Sequence, residues 1–292
     1  MHTFANHAKT ALLMGVLIGL FMLVGYMLGG SGGMFFALIL GVATNFGAWW
    51  FSDTLAIKSM RGIEIGPNGQ GPVIAGAMHP RDLYRMVDEL RQRADLPMPR
   101  VYICPHDAPN AFATGRSPNK AAVAATQGLL RLMDAREIEG VMAHELAHVK
   151  NRDTLISTIS ATIAGVLAFV AQWFLFFGGR RDGNPLIGFV VVIIAAVGAA
   201  MIKAMISRSR EFIADADGAR IAGTTEGLSS ALAKLDAYSR QIPLVQPNPA
   251  QNNLFIIEPL ADGGRMLTNL FATHPPTEDR IAALQRQRSR GV

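Results

Sequence analysis

Apolar and polar positions fall along this chain in long blocks. From Thr10 to Ser52 there are 43 consecutive residues without a charge, broken only by Gly29-Gly30-Ser31-Gly32-Gly33. Ala11 to Leu28 and Met34 to Phe51 are 18 residues each, near the lower limit for crossing about 30 Å of hydrocarbon, so the pattern predicts a helical hairpin with a glycine turn. Two further blocks come later: Leu155 to Phe177, 23 residues without a charge, and Leu186 to Ile206, 21 residues with only Lys203 near the end. Their length predicts two more membrane spans, four in all.

The intervening stretches carry shorter periods. Ser52 to Met78, with Gly66-Pro67-Asn68-Gly69-Gln70-Gly71-Pro72, reads as a connector without regular structure. Pro80 opens a helix to Ala94, with Leu83, Met86, Val87 and Leu90 at helical spacing. Arg100 to Cys104, Ala111 to Thr114 and Ala121 to Thr126 read as three short strands of a small antiparallel sheet. Asp134 followed by Glu137 forms a capping-box pattern and starts an amphipathic helix. Helices resume at Thr225 to Arg240, Gln241 to Asn253 is a Pro- and Asn-rich loop, and another helix starts after Thr277.

Composition changes the picture little, and charge sets an orientation. Half of the residues are apolar and only 17% are charged, below the ~25% of soluble domains. Lys9, Lys58, Arg61, Lys150, Arg152, Arg208 and Arg210 flank the spans on one side, against Arg180 and Arg181 on the other, which makes the first side cytoplasmic. The formal charge of +5 lacks an interleaved aromatic pattern and reads as membrane-surface charge, with no nucleic acid as partner. A single cysteine, Cys104, excludes an internal disulfide.

The chemistry sits in His144-Glu145-Leu146-Ala147-His148. Positions i and i+4 share a helix face, so His144 and His148 can offer two imidazole nitrogens to one metal ion, with Glu145 beside them as a general base toward water. Catalytic zinc usually takes three protein ligands, so a third donor is required. Glu211 meets the topology: a hairpin made of the third and fourth spans returns the chain to the side of the bilayer it left, next to the two histidines. Asp215 follows at i+4, placed to hold a ligating histidine in one tautomer. On spacing alone, Glu211 and Asp215 equally suit ion pairs with Arg208, Arg210 or Arg220 on a solvated helix face. Asn110-Ala111-Phe112-Ala113 reads either as a core strand or as an exposed edge able to pair with an extended substrate. His274 and Arg280, around a Pro-Pro turn, can steady an oxyanion or simply cap a helix and form an ion pair.

Together these residues resemble the HtpX family of bacterial membrane zinc metalloproteases, relatives of the CAAX prenyl endopeptidases. The resemblance is carried by His144-Glu145-Leu146-Ala147-His148, Glu211-x-x-x-Asp215 after a membrane hairpin, Asn110-Ala111-Phe112-Ala113-Thr114-Gly115 and His274-Pro275-Pro276-Thr277. It implies one Zn2+ per chain held by His144, His148 and Glu211, and Glu145 as the catalytic acid/base. It also implies a role in removing damaged or misfolded membrane proteins at the cytoplasmic face of the bacterial inner membrane. The expected fold class is a mainly α-helical membrane protein with four transmembrane helices and a cytoplasmic zincin-like metalloprotease domain containing a small β-sheet. The expected division is a first hairpin (1–52), a first part of the protease domain (53–154), a second hairpin (155–206) and a second part of the protease domain (207–292). Protein substrates and the lipid bilayer are the expected partners, and the oligomeric state is not legible. Two rivals stand beside this reading: a prenyl-protein peptidase, and a non-catalytic membrane scaffold or transporter with a structural zinc site, although structural sites usually have four ligands.

Overall fold

The computed structural model describes residues 15, 19, 22–23, 25–26, 29–43, 46–47, 50–153, 208–241 and 275–291. The third and fourth apolar blocks, nearly all of the Gln241 to Asn253 loop, and His274 lie outside them. No helix among the described residues is long and apolar enough to cross a membrane. In the first block, residues 29–43 are helical and Gly30 has φ 59°, so the chain reverses inside the glycine run. A Cβ on Gly25 would collide with the Gly33 carbonyl and Ala37, which explains why small residues stand at this crossing.

The connector is more ordered than its glycine content predicts. It carries helix α1 (Ser52–Ser59) and strand β1 (Ile63–Ile65), which pairs antiparallel with β2 (Arg100–Cys104). Three residues are too few for an alternation to register in the sequence. The pairing is sealed by the Tyr102 hydroxyl, which donates to Glu64 at 3.0 Å. Helix α2 (Pro80–Arg93) matches expectation, with Leu83, Val87 and Leu90 fully buried.

Strands β3 (Ala111–Thr114) and β4 (Ala122–Thr126) complete a four-stranded sheet in the order β1-β2-β4-β3. The predicted all-antiparallel sheet is therefore incorrect: β2 and β4 run parallel, and β3 pairs antiparallel with β4 at the edge. The chain leaves β2, crosses to the edge as β3 and returns between them as β4. Thr126 fixes that crossing. Its hydroxyl accepts from the Asn110 N–H at 2.9 Å and donates to the Ala108 carbonyl at 2.8 Å, while its own N–H donates to the Asn110 carbonyl.

All five residues of β4 are buried, so the sheet has a covered face on each side. Val123 and Ala125 belong to the main core with α4 (Ala135–Asn151), whereas Ala122 and Ala124 pack with Tyr102, Phe112 and the Ala56, Ile57 and Met60 side chains at and just after α1. Alanines on β4 leave room for α4 to lie close. Short α3 (Gln127–Leu132) precedes α4, and α5 (208–222), α6 (Glu226–Gln241) and α7 (Thr277–Arg288) follow. The result is mostly helical around a small mixed sheet. At the junction with the N-terminal apolar block, the Arg116 guanidinium lies 4.1 Å over the Trp50 ring and donates to the Trp50 carbonyl at 2.8 Å.

Candidate metal centre

The site begins with the two ends of α4. At its start, the Asp134 carboxylate accepts from the N–H groups of Arg136 and Glu137, both at 2.9 Å, and Glu137 reaches back to the Asp134 N–H, the reciprocal cap the sequence predicted. Glu137 also accepts from Ser230 at 2.6 Å and Lys234 at 2.7 Å on α6, which fixes the seat of the helix. Burial opposes ionisation of Glu137, but these hydrogen bonds outweigh it and hold its pKa below the usual carboxylate value.

At the other end, Arg152 adopts the left-handed conformation (φ 58°) and donates to the Val149 carbonyl, and the Asp153 N–H donates to the His148 carbonyl at 2.9 Å. This pair of bonds is a Schellman turn. Between the two ends lie His144, 2% exposed, and Glu145, 4% exposed.

Three side chains converge. His144 Nε2 and His148 Nε2 are 3.1 Å apart. Glu211, on the first turn of α5, places Oε2 3.6 Å from His144 Nε2 and Oε1 3.5 Å from His148 Nε2. Each oxygen of Glu211 thus faces one of the two histidine nitrogens, and the three residues form a triangle in which one donor atom from each lies within 4.8 Å of the others, two nitrogens and one carboxylate, a donor set that suits catalytic zinc. Among the described residues, these three form a group able to hold a metal.

Behind the triangle, each histidine meets a carboxylate. His144 Nδ1 lies 3.0 Å from Asp215 Oδ1, a close polar contact set off the line of the ring N–H. His148 Nδ1 lies 3.4 Å from Asp153 Oδ2 within hydrogen-bonding alignment. With both Nδ1 atoms facing carboxylates, both Nε2 lone pairs are left for the space beside Glu211.

Arg280 on α7, 1% exposed, binds Asp215 through two parallel bonds of 2.8 and 2.7 Å and stands 3.5 Å from Glu211 Oε2. Burial pushes the Asp215 carboxyl up, yet the Arg280 charge and hydrogen bonds outweigh it and bring its pKa down to about 2. In the chain without metal, burial pushes His148 down, and the Asp153 hydrogen bond with the Glu211, Asp153 and Glu145 charges raises it to about 9.

Close backbone approach makes this possible. A Cβ on Gly218 would lie 2.8 Å from His144 Cα and 2.9 Å from its nitrogen, so α5 rests directly on the main chain of α4 at the ligand. Asn151 ties the same two helices by donating to Asp217 at 2.8 Å.

The structure brings together His144, Glu145, His148, Glu211, Asp215 and Arg280. The alternative of a solvated helix face for Glu211 and Asp215 fails, because both are buried. Arg280 is enclosed and committed to Asp215, a placement for holding that carboxylate rather than for meeting a substrate oxygen. Asn110 is fully buried and turned toward β4, Ala111 and Phe112 are buried, and Ala113 is partly exposed on the edge strand. Cys104 is buried and its thiol pushed up to about 12, so it offers no thiolate. Asp153, which meets His148, is not singled out by the sequence, and Arg210 stands there only as a flanking charge and an ion-pair candidate. One signal was available: a carboxylate just past a helix C-terminus opposes the helix dipole, and such local violations mark functional positions.

The chain is similar to several known proteins. The family model described as Peptidase family M48 matches residues 78–288. A Protease HtpX homolog of Desulforapulum autotrophicum is 49% identical over 289 residues, covering 96% of this chain and 89% of that protein. Another from Burkholderia multivorans is 49% identical over 285 residues, covering 96% of each. Among solved structures, S. mikatae Ste24p is similar with a TM-score of 0.52 at 18% identity, a likeness of fold that covers 96% of this chain and 65% of that one.

Proposed function

This chain belongs to peptidase family M48 and is a metalloprotease, and from that premise we propose that it is a zinc endopeptidase working at the cytoplasmic surface of the bacterial inner membrane. The observation that carries the zinc reading is the triangle of His144, His148 and Glu211. When bound, zinc supplies Lewis acidity, polarising the scissile carbonyl and bringing the pKa of water from ~15.7 toward ~7.

The chain's own residues do the rest. Glu145 takes a proton from the attacking water, whose oxygen bonds to the carbonyl carbon. The C–N bond then breaks, and Glu145 returns the proton to the leaving nitrogen. Asp215 and Arg280 hold His144 in one tautomer throughout.

Substrate positioning falls to β3. Because Asn110 exchanges backbone contacts with Thr126, residues 110, 112 and 114 turn their main-chain groups toward β4, and those of Ala111 and Ala113 face away from it, with Ala113 partly exposed at the edge of the sheet among the described residues. An extended substrate adds there as a further strand, which gives affinity without one fixed sequence. His274 is the candidate oxyanion donor.

The membrane part of the reading rests on the apolar blocks: four spans, with the protease domain divided by the second hairpin at 155–206. Exposed Phe35, Phe36, Ile39 and Val42 on the 29–43 helix suit contact with lipid. Misfolded or damaged membrane proteins are the proposed substrates.

The test uses two variants of the purified chain. Glu145→Gln is expected to keep zinc and lose hydrolysis of an unfolded reporter protein, and Glu211→Ala to lose both. Full zinc occupancy in Glu211→Ala moves the third ligand elsewhere, and normal hydrolysis by Glu145→Gln removes it from the mechanism.

A further inference from the structure

The two histidines are supported unequally by packing. The His144 side chain is 2% exposed, enclosed by α5, whereas that of His148 is 15% exposed. A ring that packing encloses less completely is freer to turn over and exchange its two nitrogens, so His148 depends more than His144 on whatever grips Nδ1. The group in reach is Asp153, five residues on and 3% exposed. Its position follows from local geometry: left-handed Arg152 turns the chain back on itself, and the Asp153 N–H bond to the His148 carbonyl brings its carboxylate under the ring.

A buried carboxylate at the negative end of a helix is doubly unfavourable unless positive groups surround it. Arg210, 7% exposed and next to Glu211 on the first turn of α5, lies within charge–charge range of both Asp153 and Glu211. That arrangement parallels Asp215 with Arg280 behind His144.

We propose that Asp153 is a positioning residue for His148, as Asp215 is for His144, and that Arg210 is its buried counter-charge. The proposal rests on the zinc reading above. It means that the residues flanking segment 154–207 both reach the metal site: Asp153 grips one ligand from the entry side, and Arg210 and Glu211 return on the exit side.

The experiment compares full-length wild type, Asp153→Asn and Asp153→Glu in detergent. Asparagine keeps the size and removes the charge, and glutamate keeps the charge. Zinc affinity by chelator competition is expected to fall about 10- to 100-fold in Asp153→Asn, with partial recovery in Asp153→Glu. The visible bands of the cobalt-loaded chain are expected to shift in Asp153→Asn, a change that a merely structural role would not cause. Unaltered affinity and bands in Asp153→Asn overturn the proposal, provided wild type binds zinc one to one. A wild type that takes up no zinc overturns the zinc reading and the proposal together. Should Asp153→Asn not fold, 15N-histidine spectra of the zinc-loaded wild type decide: a hydrogen-bonded Nδ1–H on His148 supports the proposal, and the Nε2–H form overturns it.

Discussion

His144 and His148 sit one turn apart on the same helix, and their surroundings are assembled in opposite ways. Everything that holds His144 comes from far along the chain: Asp215 and Gly218 on α5, and Arg280 on α7. His148 is gripped by Asp153, within the turn that ends its own helix. A contact built from remote parts is formed only when the whole domain is formed, so disturbing it affects folding and metal together. The contact within the turn involves less of the chain, so removing it should disturb the fold less.

The largest separation between the two sides is expected from Arg280→Met. It leaves Asp215 as a buried carboxylate without its partner, which costs about 3–5 kcal/mol. The melting temperature of the metal-free chain should drop steeply, whereas Asp153→Asn lowers zinc affinity with a smaller change in melting. Equal melting of Arg280→Met and wild type contradicts the remote construction of the His144 side.

Gly218→Ala should come next. The added methyl group has to push α5 away from the His144 backbone, at about 1–3 kcal/mol. Both the melting temperature and the zinc affinity should fall, because Glu211 rides on the displaced helix; unchanged zinc affinity means that the helices part without moving Glu211.

The smallest effect serves as a control at the far end of α4. Lys234→Met removes a contact to Glu137 and touches neither histidine. Because Glu137 has its pKa lowered in the folded chain, the stability it contributes is present above its ordinary value near 4.5 and fades as pH falls through the lowered one. Wild type should therefore melt about 2–4 °C higher than Lys234→Met at pH 7, with the gap narrowing as the pH falls below 4.5 and zinc affinity at pH 7 equal in both. A gap that stays constant throughout acid titration assigns the loss to packing of the lysine stem instead.

How much of this was legible in the sequence follows from distance along the chain. His144, His148 and the Asp134–Glu137 cap are local patterns, readable from helical spacing alone. Glu211 was readable only because two apolar blocks stand between it and His148 and imply a return to the same place. The ion pair of Arg280 with Asp215 has no spacing rule behind it, so the sequence leaves Arg280 open between steadying an oxyanion and forming an ordinary ion pair. Strand β1 was hidden by its length, and the parallel pairing of β2 with β4 by the assumption that successive strands lie side by side. Thr126, which secures the crossing, looks in the sequence like any threonine before a helix.

From Glu137 to Val149 only Glu139 and His148 are not buried. Helix α4 therefore has almost no solvent-facing side and no partial opening available to it: exposing its amides means dismantling the sheet, α5 and α6 around it. Amide hydrogen exchange at residues 141–147 should accordingly proceed at the rate of global unfolding, the slowest class in the molecule. In a protease, this separates the chemistry from the fluctuations that admit substrate. Motions of the loops and of the edge strand can proceed without loosening the residues that cut.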